Sequence, residues 1–385
     1  MVAETGSGDG TRADGAAVGK EPAVPGARRV DHMALTVPDL DSAVDFAVRA
    51  LGGELVYRLP PLAHDDDWMR EHLDTHPRAS TEIALVRLGP TTNLELFAYR
   101  SPDHRATPPR PHDVGSTRLA LRVDDVDAAS AALRERAGSL PLGPVRTVPE
   151  GLPDAGVRWV LLSTPWGQPV ELRSVPDPLP YEKDTSARRF GPCPVWSNRD
   201  DGVTAPSALP GARSLDHLAY TVADLDEAET FFVDVLGAEP LYRRTVALDD
   251  PELAAALGVP SGGRVDQAAL RMGPTDTIEL HCYRDTSGGR RRPPRNSDVG
   301  GSHLALYVDD VDAAASYLGS RPGCTVLAEP ETIEEGPLAG DRWVYVRTGL
   351  GLYIEMVRMP DGSLPYEIAT EARRRATGRA RWWDR

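Results

Sequence analysis

The chain alternates between short apolar runs typical of strands and longer stretches with the apolar spacing of amphipathic helices. The segments HMALTV at 32–37 and HLALYV at 303–308 are strand-like, and an Asp-rich turn follows each of them. Asp41 and, in the second half, Asp226 are placed to cap the next helix, and Gly52 is placed to end the first of these helices. Further strand candidates follow, so the pattern predicts a βαβββ unit.

Two segments recur in the second half of the chain at one constant spacing. VDHMALTVPDLD at 30–41 returns as LDHLAYTVADLD at 215–226, and the block 113–127 returns as 298–312. Self-similarity of this kind indicates a duplicated architecture. Because each half also contains two opening strands, the sequence predicts an α+β fold of four tandem βαβββ modules in two paired halves. The modules span roughly 28–100, 115–177, 213–285 and 300–360.

Segments of a different composition flank and separate the halves. The Gly- and Ala-rich start of the chain can bury too little apolar surface to become ordered, and Pro, Gly, Arg and Ser are frequent between the halves. We therefore predict a disordered arm, two domains of two modules each, a linker and a basic tail. Their ranges are 1–27 for the arm, 28–183 for the first domain, 184–212 for the linker, 213–367 for the second domain and 368–385 for the tail.

Composition excludes several classes of partner. The net charge of −15 is opposite to the charge that a nucleic acid selects, and no apolar run is long enough to cross a membrane. The three cysteines, Cys193, Cys282 and Cys324, are far apart and indicate neither a disulfide framework nor a thiolate zinc site. We expect a cytoplasmic monomer or homodimer that acts on a small molecule and binds neither nucleic acid nor membrane.

Histidines and glutamates recur at matching positions of the modules. Three modules carry a histidine in the opening strand, and all four carry a glutamate in the closing strand. Because alternate residues of a strand face the same side, one such His and one such Glu can converge on one face. Two modules that face each other would then bring two His and two Glu around one point. These residues are His32, His217 and His303 with Glu95, Glu171, Glu279 and Glu355.

This set of nitrogen and oxygen donors suits a divalent metal ion such as Mn, Co, Ni, Fe or Zn, and it leaves positions for a chelating substrate. A single His in an opening strand is more commonly a packed or surface residue. A Glu amid apolar neighbours is less ordinary: Glu355 lies between Ile354 and Met356, and an unpaired buried carboxylate is costly. The recurrence of both residue types at matching positions favours the metal site.

Two other groups of histidines are further candidates for the active site. The insertion AHDDDWMREHLDTHPRA contains His64, His72 and His76 and is either a lid over an active site or a solvated helical loop. His281 shares a strand face with Glu279 and is either a neighbour of the ligands or exposed. Phosphate-binding glycine loops and Ser-His-Asp signatures are not found in the sequence.

In these residues the chain resembles the vicinal oxygen chelate superfamily, which includes glyoxalase I, methylmalonyl-CoA epimerase, extradiol dioxygenases and bleomycin-binding proteins. The opening pattern DHxALTVPDLDxAV and the closing pattern xxELxxY carry the resemblance over nearly all of 28–367. The segments DDDWMREHLDTHPRA and GPLAGDRWVYV are most similar to those of 2-epi-5-epi-valiolone epimerases from C7-cyclitol antibiotic pathways. The resemblance implies a divalent metal ion and a ketose or cyclitol substrate.

The second module departs from the superfamily pattern, because Arg118 stands where the opening-strand histidine is expected. A guanidinium stays protonated and cannot bind a cation, so one of two possible sites should be degenerate. Two pairings of the modules remain open. Pairing within halves would complete a site of His217, Glu279, His303 and Glu355, and pairing across halves would complete one of His32, Glu95, His303 and Glu355.

The resemblance favours a metal-dependent epimerase that inverts the carbon next to a ketone through an enediolate. Glu355, together with Glu95 or Glu279, would then be the catalytic acid and base. One alternative is an Fe(II) ring-cleaving dioxygenase, since two His and one carboxylate also match that pattern. The other alternative is a metal-free binding or resistance protein.

Overall fold

The computed structural model describes residues 23–137, 139–189, 209–359, 364–371 and 382. Most of the predicted arm at 1–27 and much of the predicted linker at 184–212 and tail at 368–385 lie outside these residues, as does Cys193. The described chain forms four βαβββ modules, as the sequence predicts, and the α+β fold class is confirmed.

The strands and helices of the modules follow one another in the predicted order. The first module contains β1 (Ala27–Thr36), α1 (Leu40–Asp45), β2 (Glu54–Leu62), α2 (Trp68–Leu73), β3 (Ser80–Leu88) and β4 (Thr92–Arg100). The second contains β5 (Thr117–Val123), α3 (Val126–Ala137), β6 (Arg146–Thr147), β7 (Arg158–Ser163), β8 (Pro169–Ser174) and α4 (Pro180–Asp184). The third contains β9 (Ala212–Thr221), α5 (Leu225–Thr230), β10 (Glu239–Ala247), α6 (Pro251–Ala256), β11 (Arg264–Met272) and β12 (Asp276–Arg284). The fourth contains β13 (Ser302–Val308), α7 (Val311–Gly319), β14 (Thr325–Val326), β15 (Glu331–Thr332), β16 (Arg342–Arg347), β17 (Tyr353–Arg358) and α8 (Pro365–Ala369).

The helix caps lie two residues earlier than the sequence predicts. Asp39, in extended backbone, accepts a hydrogen bond from the Ser42 amide and caps α1, and Asp224 caps α5 in the same way. Asp41 and Asp226 instead lie in the first turns, where a negative charge is favourable next to the free amides. Gly52 follows the helical stretch with a φ of 86°, as a left-handed helix end requires.

The modules pair across the two halves of the chain. A nine-stranded sheet has the order β14-β16-β17-β13-β1-β4-β3-β2 with β15 beside β16, so it joins the first module to the fourth. An eight-stranded sheet has the order β10-β11-β12-β9-β5-β8-β7-β6 and joins the third module to the second. We call these the first sheet and the second sheet. Of the two pairings that the sequence leaves open, this is pairing across halves.

One apolar core holds the two sheets together. Residues from all four modules, including Val30, Leu121, Leu218 and Leu304, belong to a single continuous cluster of buried side chains. Burial on this scale supplies the main driving force for folding. Within the part of the chain that the structure describes, no helix is both long and apolar enough to cross a membrane.

Candidate metal centre

The register of four strands at the centre of the first sheet brings two histidines and two glutamates to one face. The antiparallel pair β1 and β13 sets His32 opposite Ala305 and Ala34 opposite His303. The parallel neighbours place Glu95 beside Ala34 and Glu355 beside Ala305. Directly paired residues share a face of the sheet, so all four side chains emerge on the same side. The two alanines leave room between them.

The donor atoms of these four side chains converge. The Nε2 atoms of His32 and His303 are 3.1 Å apart, and Glu355 Oε2 lies 2.9 Å from His32 Nε2 and 3.3 Å from His303 Nε2. Glu95 Oε2 lies 3.3 Å and 3.7 Å from the same two nitrogens. All four residues are buried. The distances match a metal centre, because ligand atoms that are each about 2.0 to 2.2 Å from an ion lie roughly 3 to 3.5 Å apart.

Neighbouring polar groups fix the orientation of the ligands. His32 Nδ1 lies 3.1 Å from Asp31 Oδ2, and this contact orients the ring so that Nε2 faces the other proposed ligands. The Tyr57 hydroxyl donates to Glu95 Oε1 at 2.9 Å, and the Tyr345 hydroxyl lies 3.2 Å from His303 Nδ1. Hydrogen bonds of this kind are typical around metal ligands, where they hold the rings and carboxylates in place.

The charges in the cluster are strongly coupled. Burial lowers the pKa of the His32 imidazole, but the nearby side chains of Glu95, Asp31 and Glu355 outweigh burial and hold that pKa well above its usual value. Burial raises the pKa of Glu95 and of Glu355, yet the two neighbouring histidines bring both values below the usual range. The cluster therefore holds two carboxylates together with a positive charge.

These residues fit a divalent metal ion. Two imidazole nitrogens and two carboxylate oxygens are suitable donors for the first-row divalent ions. Glu355 Oε2 is buried and has no hydrogen-bond partner in the described ranges of the chain, although it lies within 3 Å of His32 Nε2. A bound cation would satisfy this oxygen and would lie between the two Nε2 atoms, which otherwise face each other at 3.1 Å.

Three residues of the cluster, His32, Glu95 and Glu355, line a cavity of about 560 Å³ at the first sheet. Aromatic and aliphatic side chains form much of its wall, among them Trp68, Phe97 and Trp343. The polar side chains in the described part of the lining include acidic residues, tyrosines, a threonine and His32. A volume of this size is typical of small-molecule sites.

The insertion of the first module lies over this cavity. It forms α2, and Trp68 stacks between the rings of His64 and His72 at centroid distances of 4.3 and 4.4 Å. His72 Nε2 also lies 2.9 Å from Glu331 Oε1 on β15, which ties the insertion to the fourth module. His76 accepts a hydrogen bond from the Arg78 amide within the loop. The insertion therefore forms part of the cavity wall. The third module has a short helix, α6, at the same place.

The second sheet carries the corresponding four positions without a metal cluster among its described residues. Its register repeats that of the first sheet, with Arg118 and Glu279 both opposite Ala219, and His217 and Glu171 both opposite Ala120. The Arg118 guanidinium lies 3.0 Å from Glu171 Oε2. The strand register is thus repeated, but the positively charged Arg118 side chain occupies the position that a metal-binding histidine has in the first sheet.

Two further arginines lie among the corresponding residues at the centre of the second sheet. Arg173 Nη1 donates to Glu279 Oε1 at 2.8 Å and lies 3.1 Å from His217 Nδ1. Arg189 Nη2 donates to Asp216 Oδ1 at 2.8 Å and lies 3.3 Å from Glu279. All five side chains are buried. Guanidinium groups therefore compensate the carboxylates of the second sheet, as a metal ion would in the first.

His281 is buried beside this cluster. Its Nε2 lies 3.5 Å from Glu279 Oε2 and 3.0 Å from Gln267 Nε2. Burial lowers the pKa of His281 to about 4, so this ring is neutral near pH 7. The sequence allows His281 to be either a neighbour of the predicted ligands or exposed. In the structure it is buried and lies next to Glu279.

The structure brings together four of the six predicted metal-binding residues and separates the other two. His32, Glu95, His303 and Glu355 form one cluster, whereas His217 and Glu279 lie among arginines in the second sheet. Sequence reasoning missed Arg173, although its position two residues after Glu171 already indicates the same strand face. It also missed Arg189, which lies in the predicted linker and whose place depends on tertiary structure.

Sequence comparisons agree with the fold. Profiles described as the glyoxalase/bleomycin resistance protein/dioxygenase superfamily match residues 29–172 and 216–340. A 2-epi-5-epi-valiolone epimerase from Actinomyces sp is 47% identical over 175 residues, which cover 46% of this chain and 94% of that protein. The match thus spans nearly the whole relative and about half of this chain.

Solved structures show the same architecture. A glyoxalase I variant from Zea mays superposes with a TM-score of 0.51 at 15% sequence identity, over 86% of this chain and 94% of the maize chain. Another crystal structure of glyoxalase I from Zea mays gives a TM-score of 0.50 at 14% identity, over 86% and 92% of the two chains. At this identity the likeness concerns the fold alone. With two matched regions and a close relative, the chain belongs to the glyoxalase/bleomycin resistance protein/dioxygenase superfamily.

Proposed function

We propose that this chain is a metal-dependent epimerase that inverts a carbon next to a ketone, and that it converts 2-epi-5-epi-valiolone into 5-epi-valiolone. The observation that carries the proposal is the convergence of four residues, His32, Glu95, His303 and Glu355, of which all but His303 line a large cavity. The 47% identical relative is named for the same reaction type, which is an isomerisation. A ketose or cyclitol with a hydroxyl beside the ketone is the substrate class.

The four converging residues would hold one divalent ion of the Mn, Co, Ni, Fe or Zn group. When bound, such an ion supplies Lewis-acid stabilisation of the negative charge that develops on two neighbouring substrate oxygens as the carbon-bound proton leaves. Asp31 keeps His32 in the tautomer that points Nε2 at the centre, and Tyr57 holds one oxygen of Glu95. These partners reduce the reorganisation that binding requires.

The carboxylates of Glu95 and Glu355 are the proposed proton acceptors. Their pKa values lie below the usual range in this cluster, so both are ionised and can take a proton from the carbon beside the ketone. Tyr57 donates to Glu95 Oε1, while Glu355 Oε2 has no hydrogen-bond partner in the described chain. Glu279 lies against Arg173 in the second sheet and takes no part in this proposal.

The charge of the cavity supports an uncharged substrate. Among the residues that the structure describes, its lining includes six acidic side chains and neither Lys nor Arg. A phosphate, a nucleotide or a free carboxylate needs cationic partners when it leaves water, and no Lys or Arg of this described lining would supply one. Hydroxyl groups, in contrast, can donate hydrogen bonds to carboxylates, and the ring carbons can lie against Trp68 and Trp343. A neutral polyol ketone fits these walls. The acidic residues of this lining are Asp31, Glu95, Glu331, Glu335, Asp341 and Glu355.

The test is proton exchange in deuterated water, followed by NMR, on 2-epi-5-epi-valiolone with the metal-loaded protein in the absence of oxygen. We expect deuterium at the carbon beside the ketone and formation of the second epimer. Loading with redox-inert Zn or Mg should keep the activity, whereas a ring-cleaving dioxygenase would require Fe(II) and oxygen. Methylmalonyl-CoA serves as the charged comparison and should show no exchange. Absence of exchange on every cyclitol ketone would contradict the proposal.

A further inference from the structure

Asp341 is a buried acidic residue in the wall of the same cavity, and it is not one of the four proposed metal ligands. It directly precedes β16, lines the cavity together with Glu355, and is 7% exposed. Its Oδ1 atom is buried and has no hydrogen-bond partner in the part of the chain that the structure describes. An unsatisfied buried carboxyl group is costly, so its presence calls for an explanation.

The second sheet shows that the fold does not require an acid at this place. β7 and β16 both begin with the residues Arg-Trp-Val, at Arg158 and Arg342, so the residue before each strand is equivalent. In the second sheet that residue is Val157, which is fully buried in an apolar cluster. The acidic residue therefore occurs in the first sheet, where His32, His303, Glu95 and Glu355 converge. In the second sheet, where arginines compensate the carboxylates, an apolar residue takes its place.

Inversion of a carbon centre requires proton transfer on two faces. Removal of the proton on one face and its return to that face only exchanges it, so a second proton-transfer group must reach the other face. Glu95 and Glu355 belong to one cluster of converging atoms. Asp341 is a separate carboxyl group in the wall of the same cavity, and its Oδ1 has no hydrogen-bond partner among the described residues.

The surroundings of Asp341 favour its protonated form. Burial raises the pKa of this carboxyl well above its usual value, and the carboxylates of Glu355 and Asp31 raise it further. A carboxylic acid kept neutral in this way can donate a proton. It therefore complements the ionised glutamates, because inversion needs one group that accepts a proton and another that donates one.

We propose that Asp341 is the second proton-transfer residue of the epimerisation, acting on the face of the substrate carbon opposite to the face that Glu95 or Glu355 serves. The inference rests on the proposed function. A glutamate takes the proton as the C–H bond breaks, and the electron pair moves to the ketone oxygen to give the enediolate. Asp341 then donates its proton to the other face as the C=O bond forms again. No oxidant or reductant is needed, and the reverse reaction exchanges the roles.

The experiment compares exchange with inversion in D341N, starting separately from each epimer in deuterated water. We expect inversion to fall by about a hundredfold or more in both directions. Exchange should continue from the epimer whose proton faces the glutamates and should be lost from the other epimer. The control is E334Q, which removes an exposed carboxylate of the neighbouring loop that does not line the cavity. This control should exchange and invert both epimers as the wild type does.

A second variant, D341V, supplies a readout that does not depend on activity. It introduces the residue found at position 157, removes an unsatisfied buried carboxyl, and should raise the melting temperature of the metal-free and of the metal-loaded protein. The metal content of both variants, measured by mass spectrometry, should equal that of the wild type.

Several outcomes would overturn the role of Asp341: inversion by D341N at the wild-type rate, equal loss of exchange from both epimers, loss of the metal ion, or a lower melting temperature of D341V. Failure of the proposed function is a different result, because the wild type itself would then exchange neither epimer.

Discussion

The two sheets have the same topology at their centres and differ in what neutralises their buried carboxylates. In the first sheet, His32, His303, Glu95 and Glu355 converge as a set that fits a metal ion. In the second sheet, Arg173 and two further guanidinium groups lie among the corresponding positions. One strand register therefore supports either a metal site or an internal ion-pair network. The choice depends on a few side chains that point into the centre.

The space in front of the sheets differs in the same way. The first sheet opens into a cavity of about 560 Å³, with Tyr345 and Trp343 in its wall. In the second sheet the residue that corresponds to Tyr345 is Leu161, which packs with Leu253 of α6 in an apolar cluster. A duplicated chain can thus keep one half of its repeats for the site and use the other for packing, because the shared core supports both sheets.

The largest expected effect is that of Glu355→Gln. The variant should lose solvent exchange at the substrate carbon by roughly a thousandfold or more, because it removes a proposed ligand and proton acceptor together. Glu171→Gln changes the corresponding residue of the second sheet and should keep exchange within a few-fold of the wild type. NMR measures the exchange rate of both variants. Similar rates would contradict the expectation that the first sheet carries the active site and the second does not.

Arg173→Leu tests the second sheet. The substitution leaves Glu279 and Asp216 with less positive charge in a buried place, so the free energy of unfolding should fall by about 3 to 5 kcal/mol. Arg358→Leu, at an exposed position of β17, should change it by less than about 0.5 kcal/mol. Denaturation with urea measures both. An unchanged stability of Arg173→Leu would mean that the ion pairs contribute little.

Metal content distinguishes the two sheets directly. We expect one divalent ion per chain, and His303→Ala should weaken its binding by more than the roughly 10- to 100-fold that loss of an outer partner costs. His217→Ala should leave the metal content unchanged, because this ring lies 3.1 Å from Arg173. Equilibrium dialysis with elemental analysis provides the measurement. Two ions per chain, or a loss of metal in His217→Ala, would contradict the comparison.

The smallest effect concerns a feature that both sheets share. Asp298 accepts hydrogen bonds from the amide and the guanidinium of Arg105, and Asp113 makes equivalent contacts with Arg110 and Arg290. Asp298→Asn and Asp113→Asn should each cost about 1 to 2 kcal/mol of stability near neutral pH. A large difference between the two variants would show that this loop is not equivalent in the two sheets.

The pH dependence of Asp298 follows from its hydrogen bonds. Burial raises the pKa of this carboxyl, but the backbone amides of Arg295 and Arg105 outweigh burial and bring it below its usual value. The carboxylate therefore stabilises the fold above its unfolded pKa of about 4, and this contribution is lost as the pH falls through the lower folded value. The difference in stability between the wild type and Asp298→Asn should shrink below about pH 4 in urea titrations.

Much of the fold follows from local sequence patterns. The recurrence of His32 at His217 and of Asp113 at Asp298 already indicates the duplication, and the alternation of apolar residues indicates the strands. The observed helix caps lie two residues before the predicted ones. Asp39 and Asp41 are both suitable N-cap residues, and only the backbone conformation distinguishes them.

The candidate site was predictable only in part. Residue types, strand positions and the loss of a histidine at Arg118 limit the predicted metal ligands to six, but the sequence leaves open whether His32 or His217 completes the site with His303. Tertiary structure brings His32 next to His303 and places Arg173 and Arg189 around His217. Asp341 lies in the segment GPLAGDRWVYV, which carries part of the resemblance, but nothing in the sequence singles it out. Its burial and the unsatisfied Oδ1 depend on the packing of the loop before β16.

The repeated module, the strand positions of the histidines and glutamates, and the loss of one histidine at Arg118 can all be derived from the amino-acid sequence alone. These are local properties, because side-chain alternation and turn chemistry act over a few residues. The pairing of the first module with the fourth, and the positions of Arg173 and Arg189 beside His217 and Glu279, become visible in the folded chain. Strand pairing and charge compensation join residues far apart in the chain, and their energies depend on burial, which exists only in the folded protein.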